Sequence, residues 1–232
     1  MVCADVRLNF SVECDYAKLL VRFRKLLNMD IYCVDVGSIK NNNFGWAKLT
    51  LNSENVESGS DIGELAENIS NSLNTGVQVS VGFECPLFLP VRDEPVKVNS
   101  ARKGEGNRSW SSGAGISAMG TGLVEALWIM RKVNELTKVT PSATFCWETF
   151  QRKDCNVFLW EAFVSGDAKG KTHIDDALIA ANHFKNNVHQ LEHVNSISED
   201  DALSLIGAAG LKSGWFKDLS VLSKTCLVLK TA

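Results

Sequence analysis

A short apolar run, Ile31–Val34, ends at Asp35 and is followed by Gly37. A carboxylate at the exit of a buried strand, with a glycine just after it, is typical of the ligand-binding edge of an open α/β sheet. Two further acids, Glu84 and Asp176, lie in similarly apolar settings. A function for these acids depends on whether their three carboxylates meet in space.

The order of the predicted elements indicates an α/β fold. Apolar runs over 31–36 and 44–51 predict two strands of a hairpin, followed by a helix over 61–73 and a strand over 77–83. A hairpin, a helix and a strand in that order predict a mixed sheet with at least one crossover. Later segments predict helices over 115–136, 173–190 and 199–211, and strands over 156–164 and 221–229.

A chain of 232 residues is long enough for one α/β domain with a sizeable core. We expect a core over 31–190, flanked by two extensions. The first, 1–30, contains an amphipathic helix over 16–27, and the second, 191–232, adds a helix and a strand that pack on the core.

Composition excludes several classes of protein. The 24 Lys and Arg residues against 27 Asp and Glu residues give a net charge of −3, so no global positive field attracts nucleic acid or membrane. Seven cysteines, without a Cys-x-x-Cys pair, favour reduced thiols over a disulfide framework. The apolar stretch 113–130 contains four glycines and Glu125, which favours a buried helix over a membrane span. We therefore expect a cytoplasmic protein without a membrane partner.

The start of the helix at 173 offers a set of metal-binding groups. His173 and Asp176 are three residues apart, so both project from one face of its first turn. Together with Asp35 and Glu84 they would suit Mg²⁺ or Mn²⁺ better than a structural zinc. The alternative is that Asp175 or Asp176 caps the helix while Asp35 bonds to turn amides.

The order of these motifs resembles the ribonuclease H-like fold over about residues 31 to 184. Within that superfamily it looks most like the RuvC-type Holliday-junction resolvases and a group of uncharacterised related domains. The resemblance implies that Asp35, Glu84, His173 and Asp176 bind two divalent metals, with Asp175 as a neighbour that could substitute.

The resemblance also implies a mechanism, in which a metal-activated water attacks a phosphodiester in line. Two metals about 4 Å apart would hold the attacking and leaving oxygens, with Asp35 as the bridging ligand. Glu161, in an apolar strand, is a further ligand candidate or a group that supports a ligand. The alternative is an acid that faces solvent at a strand exit.

A basic segment follows Glu84 and could bind the phosphate backbone. It holds five cations against three acids, and Trp110 beside it could stack on an exposed base. The cations are Arg92, Lys97, Arg102, Lys103 and Arg108. The alternative is a solvated loop. Because the net charge is −3, tight binding to nucleic acid would need a partner or a second subunit, and the chain could form a homodimer.

Three other functions compete with a nuclease. The turn Asp35-Val36-Gly37 also begins actin-like and sugar-kinase-like phosphotransferases, whose backbone amides cradle phosphate. A binding or scaffold protein could keep the fold and part of the acidic cluster without catalysis. His189, Glu192 and His193 match the inverted zinc-protease motif, which requires the two histidines on one helix.

Overall fold

The computed structural model describes residues 29–107 and 109–231, so the predicted N-terminal helix and Arg108 lie outside the described residues. The described helices are α1 (Ile62–Asn74), α2 (Gly113–Leu136), α3 (Trp147–Gln151), α4 (His173–Asn187) and α5 (Leu205–Ser213). The strands are β1 (Met29–Asp35), β2 (Gly45–Thr50), β3 (Val56–Gly59), β4 (Gln78–Phe83), β5 (Phe88–Pro90), β6 (Ala143–Thr144), β7 (Val157–Val164), β8 (Ala202–Ser204) and β9 (Leu227–Thr231).

Seven of these strands form one mixed sheet, which confirms the predicted α/β class. The order is β3-β2-β1-β4-β7, and β6 and β9 both pair with the remaining edge of β7. β2 is antiparallel to both its neighbours, whereas β1, β4, β7, β6 and β9 run parallel. The predicted hairpin is present, and Asp35 lies opposite Gly45 in its register. The short strands β5 and β8 form a separate pair.

Helices cover both faces of the sheet. Apolar side chains of α1, α2 and α5 pack with Tyr32 and Val34 in one core cluster. Those of α3 and α4 pack with Ile31 and Cys33 in a second cluster. Successive residues of a strand point to opposite faces, so Asp35, two residues after Cys33, belongs to the face that α4 covers.

Gly45 allows α4 to lie against the sheet. A Cβ atom at this position would be 2.4 Å from the His173 backbone carbon and 2.5 Å from the Ile174 nitrogen. Only glycine permits this approach, which brings the first turn of α4 over β1 and β2. The N-terminus of α4 is therefore held beside the end of β1, where Asp35 lies.

Helix α2 buries one face only. It is long and apolar enough to cross a membrane by length and composition, and 28% of its most apolar 18-residue window is buried. Its buried residues include Ala126, Ile129 and Val133, which face the core, whereas Val124 and Trp128 are exposed. The sequence predicts a buried helix here, but the structure buries only about a quarter of its residues, along one face.

The C-terminal segment is incorporated into the fold. The predicted helix over 199–211 begins only at Leu205, because residues 202–204 pair with β5 and the Ser204 hydroxyl caps the helix at the Gly207 amide. The predicted strand over 221–229 begins at Leu227, after a short 3₁₀ turn. Since β9 pairs with β7, this segment completes the main sheet.

Two glycine substitutions test the contact between α4 and β2. We expect Gly45→Ala to reduce the free energy of unfolding by about 1–3 kcal/mol, because the added methyl group must push the α4 backbone away. Gly120→Ala, in α2, is the matched control. Its Cβ would meet nothing within 4 Å, so we expect a gain of up to about 1 kcal/mol from helix propensity. Urea unfolding measures both, and equal effects would contradict this account.

Candidate metal centre

Two of the candidate acids lie side by side at the carboxyl end of the central strands. Asp35 is the last residue of β1, and Glu84 directly follows β4. The Glu84 amide donates to the Val34 carbonyl at 2.8 Å, which continues the parallel ladder by one residue. Alternation along both strands points the two carboxylates towards the face covered by α4.

The third acid comes from the first turn of α4. Asp176 is buried, and one carboxylate oxygen each from Asp35, Glu84 and Asp176 lie within 4.8 Å of one another. The predicted convergence of the three acids is therefore confirmed. We call this group the acidic triad.

His173 lies beside the acidic triad and contacts one of its members. Its Nδ1 atom is 2.5 Å from the Asp35 Oδ2 atom, and its side chain is 41% exposed. His173 is not among the groups whose ligand atoms are mutually close. Its role as a ligand stays a prediction, while its contact with Asp35 fixes the orientation of that carboxylate.

Lys169 is the residue at this site that sequence reasoning missed. Its ammonium group is 2.9 Å from Asp176 Oδ2 and 3.3 Å from Glu84 Oε1. It comes from the loop between β7 and α4, and the next amide, that of Gly170, donates to Asp176 Oδ1 at 2.6 Å. A lysine in a loop, seven residues before Asp176, belongs to no recognisable motif. Only the tertiary structure shows that its charge offsets part of the charge of the triad.

The triad holds more negative charge than its surroundings compensate. Burial, followed by the nearby Asp35 charge, raises the pKa of Glu84 from 4.5 to about 8. Burial also raises the pKa of Asp35, against the hydrogen bond from His173. These directions mean that removing the carboxylates from water costs more than the neighbouring cations return.

One buried atom of the triad lacks a partner. Glu84 Oε2 has no hydrogen bond within the described residues, although only 10% of its side chain is exposed. Buried carboxylate oxygens are normally bonded, and a cation bound by the triad would satisfy this atom. The donor set consists of carboxylate oxygens, which fits Mg²⁺ or Mn²⁺.

Asp175 has a capping role. Its Oδ2 atom accepts from the Lys171 and Thr172 amides at 3.1 and 3.0 Å, and the Thr172 hydroxyl accepts from the Asp175 amide in return. These bonds form a capping box, and the hydrogen bonds around Thr172 lower the pKa of Asp175. The capping alternative thus applies to Asp175, whereas Asp176 joins the triad.

Glu161 does not face the triad, which corrects its interpretation as a ligand or a supporting group. It follows the alternation of Leu159, which packs in the cluster on the opposite face of the sheet. Its carboxylate is buried there and accepts from Arg102 at 2.6 and 2.8 Å and from the Leu87 amide at 2.9 Å. The alternative, an acid facing solvent, is also wrong, because Glu161 is 1% exposed.

The basic segment is largely neutralised by acids of the same chain. Arg102 is 3% exposed and bonds to Glu105 and Glu161, so it cannot reach a nucleic-acid backbone. Arg92 makes a two-pronged bond to Glu199 at 2.6 and 2.7 Å.

The other described residues of the basic segment are placed differently, and Lys97 pairs with Glu94 with 56% of its side chain exposed. Lys103 pairs with Asp200, with 55% of its side chain exposed. The Trp110 indole donates to the Ser100 carbonyl at 2.9 Å, which fixes its ring. Arg108, the last cation of the segment, lies outside the described residues.

The inverted zinc-protease motif is not formed. Helix α4 ends at Asn187, before His189, and His193 lies in a separate 3₁₀ turn over Leu191–His193. The two histidines are therefore not presented by one helix. This removes the geometry that the motif requires.

No family model, curated protein or solved structure matches this chain. The resemblance to ribonuclease H-like proteins therefore stays a prediction. Arguments about function depend on the geometry of the acidic triad and its neighbours.

The raised pKa of Glu84 predicts a pH dependence of stability. In metal-free protein its pKa is about 8 when folded against 4.5 as the ordinary value, so protonation favours folding. The stability that the protonated Glu84 contributes is complete below about pH 4.5 and is lost as the pH rises through about 8. We expect melting temperatures in EDTA to fall between about pH 5 and 8, and to fall less steeply in Glu84→Gln. Parallel pH profiles of the two proteins would contradict the assignment.

Lys169→Met tests the neutralising role of the ammonium group. Without metal at about pH 8, we expect melting to fall by about 3 °C, equivalent to about 1 kcal/mol, because the carboxylates lose a cation. Lys171→Met, in the same loop, is the matched control and should melt within about 1 °C of wild type. Thermal unfolding in EDTA measures all three proteins. An equal loss in the two variants would show that Lys169 acts only through general charge.

Proposed function

We propose that this chain is a divalent-metal-dependent phosphodiester hydrolase, a nuclease of the ribonuclease H-like, RuvC-like type that uses Mg²⁺ or Mn²⁺. The observation that carries the proposal is the acidic triad, whose ligand atoms lie within 4.8 Å of one another. The unpartnered Glu84 Oε2 atom adds a buried oxygen that a cation would satisfy.

The sheet topology supports the same proposal. A hairpin followed by parallel crossover strands, in the order β3-β2-β1-β4-β7, is the arrangement that the resemblance implies. Helices follow β3, β4 and β7 in the chain, and the last of these helices brings in Asp176. Strand exits and one helix start thus meet at one edge of the sheet, where open α/β folds place their ligands.

The residues at the site have separate roles in this reaction. Asp35, Glu84 and Asp176 would hold the cation, which would supply an activated water and polarise the phosphodiester. His173 orients Asp35 through the 2.5 Å contact. Lys169 reduces the repulsion among the carboxylates, and because its side chain is 43% exposed, a phosphate at the triad could also contact its ammonium group.

A non-catalytic scaffold is the second candidate, and Lys169 is the observation that favours it. An ammonium group bonded to both Glu84 and Asp176 can neutralise part of the triad without any metal. The actin-like alternative has less support. A Cβ at Gly37 would lie 1.7 Å from the Asn43 carbonyl oxygen, so closure of the hairpin turn already explains this glycine without a phosphate.

Neighbouring aspartates provide a matched test of the metal centre. We expect Mn²⁺ to raise the melting temperature of wild type and of Asp175→Asn, but not of Asp35→Asn or Asp176→Asn. Cleavage of fluorescent single-stranded, duplex, hybrid and branched DNA should fall at least about 100-fold in the last two variants and stay within a few-fold in Asp175→Asn.

The alternatives give different results in the same assays. Stabilisation by ATP but not by Mn²⁺ would favour a phosphotransferase. A protein that neither responds to Mn²⁺ nor cleaves any of the substrates would be a scaffold. Retention of cleavage in Asp35→Asn would overturn the assignment of the acidic triad.

A further inference from the structure

A cavity of about 280 Å³ opens directly beside the acidic triad. It lies between the loops that follow β4 and β7 and the first turns of α2. Glu84, a member of the triad, lines this cavity, and so does Lys169, which is bonded to Glu84. The cavity and the candidate metal centre therefore share a wall. A ligand in this cavity would therefore extend to the point where the carboxylates converge.

Buried ion pairs between side chains hold the far wall of the cavity in place. Trp110 lines it, with its amide bonded to Glu105 Oε1 at 2.9 Å and its indole bonded to the Ser100 carbonyl at 2.9 Å. Arg102 joins Glu105 to Glu161 with side chains at most 2% exposed. This network holds the aromatic wall in place before any ligand arrives.

The rest of the lining is mostly small or apolar. It includes Pro86, Ala114, Ala118, Ala162, Phe163 and Val164, with the hydroxyl groups of Ser109 and Ser112 among them. Such a surface suits a flat, largely apolar group, while the end formed by Glu84 and Lys169 suits a charged group. A nucleoside joined to a phosphodiester has this distribution of polarity.

The size of the cavity restricts the form of the nucleic acid. Pockets for drug-sized ligands begin at about 300 Å³, so a cavity of about 280 Å³ suits one nucleoside better than a base pair. A paired base must leave its helical stack before it can enter such a pocket, which costs the free energy of unpairing and unstacking. An unpaired nucleotide enters without this cost.

We propose that this cavity binds one unpaired nucleoside next to the phosphodiester at the acidic triad, with its base against Trp110. The inference deepens the proposed nuclease function and rests on it for the reaction. It assigns the substrate class as single-stranded nucleic acid or an unpaired region. It also gives Trp110 a binding role within a cavity.

A substitution that fills the cavity tests the inference through nucleotide binding, without requiring catalysis. Deoxyadenosine 5′-monophosphate is titrated into the protein, in EDTA and in Mn²⁺, by isothermal calorimetry. We expect Ala118→Phe to weaken binding at least about 10-fold, because the ring occupies the cavity. Ser117→Phe, the exposed neighbour on α2, adds the same ring outside the cavity and should bind like wild type.

A second variant keeps the cavity open. Trp110→Leu removes the aromatic surface, and we expect binding of the same nucleotide to weaken about 10-fold, as for the loss of one stacked base. Both variants are checked for retention of the Mn²⁺-induced melting shift, which shows that the fold and the metal centre persist. Cleavage of a single strand should be at least about 10-fold faster than cleavage of the matching duplex.

The outcomes separate this inference from the nuclease proposal. No nucleotide binding by wild type, equal binding by Ala118→Phe and Ser117→Phe, or equal cleavage of single strand and duplex would overturn the cavity assignment. Nucleotide binding that depends on Ala118, without cleavage of any substrate, would support the cavity and overturn the nuclease.

Discussion

The burial of three carboxylates at one edge of the sheet is the constraint on which this site depends. Like charges within 4.8 Å repel one another strongly when water is excluded. The surrounding backbone is arranged to bring partner groups to them. Gly45 lets the start of α4 approach β2, which places His173 on Asp35. Gly170 has a similar role, because a Cβ there would lie 2.2 Å from the Asp175 Cβ atom, and this close packing holds Lys169 over the triad.

The two faces of the sheet carry ionic clusters of different character. On the α2 side, Arg102, Glu105 and Glu161 are bonded to one another and to backbone amides. On the α4 side, Glu84 keeps an unpartnered oxygen. A satisfied buried network stabilises and orients the structure, whereas an unsatisfied one requires a further explanation. This contrast separates Glu161, a structural acid, from the acidic triad.

Local patterns were sufficient to predict the main elements and the convergence of Asp35, Glu84 and Asp176. Strand exits and the start of a helix are encoded within a few residues, and parallel strands bring their carboxyl ends together. The face of Glu161 was harder to predict, because a strand buried on both sides shows no alternation of polar and apolar residues. The burial of Arg102 has no local signal either, because one of its two partners, Glu161, is 59 positions away and only Glu105 is close in sequence.

Lys169 is compatible with both a scaffold and a metal centre. The two differ in how fully the charge of the triad is balanced. The three carboxylates would carry three negative charges if all were ionised, whereas one ammonium group supplies a single positive charge. Burial, and after it the Asp35 charge, raises the pKa of Glu84 to about 8, so Glu84 holds a proton where no stronger cation is present. A divalent cation would supply two positive charges and satisfy Glu84 Oε2 at the same time. The lysine therefore reduces the electrostatic problem of the triad, but a metal resolves more of it.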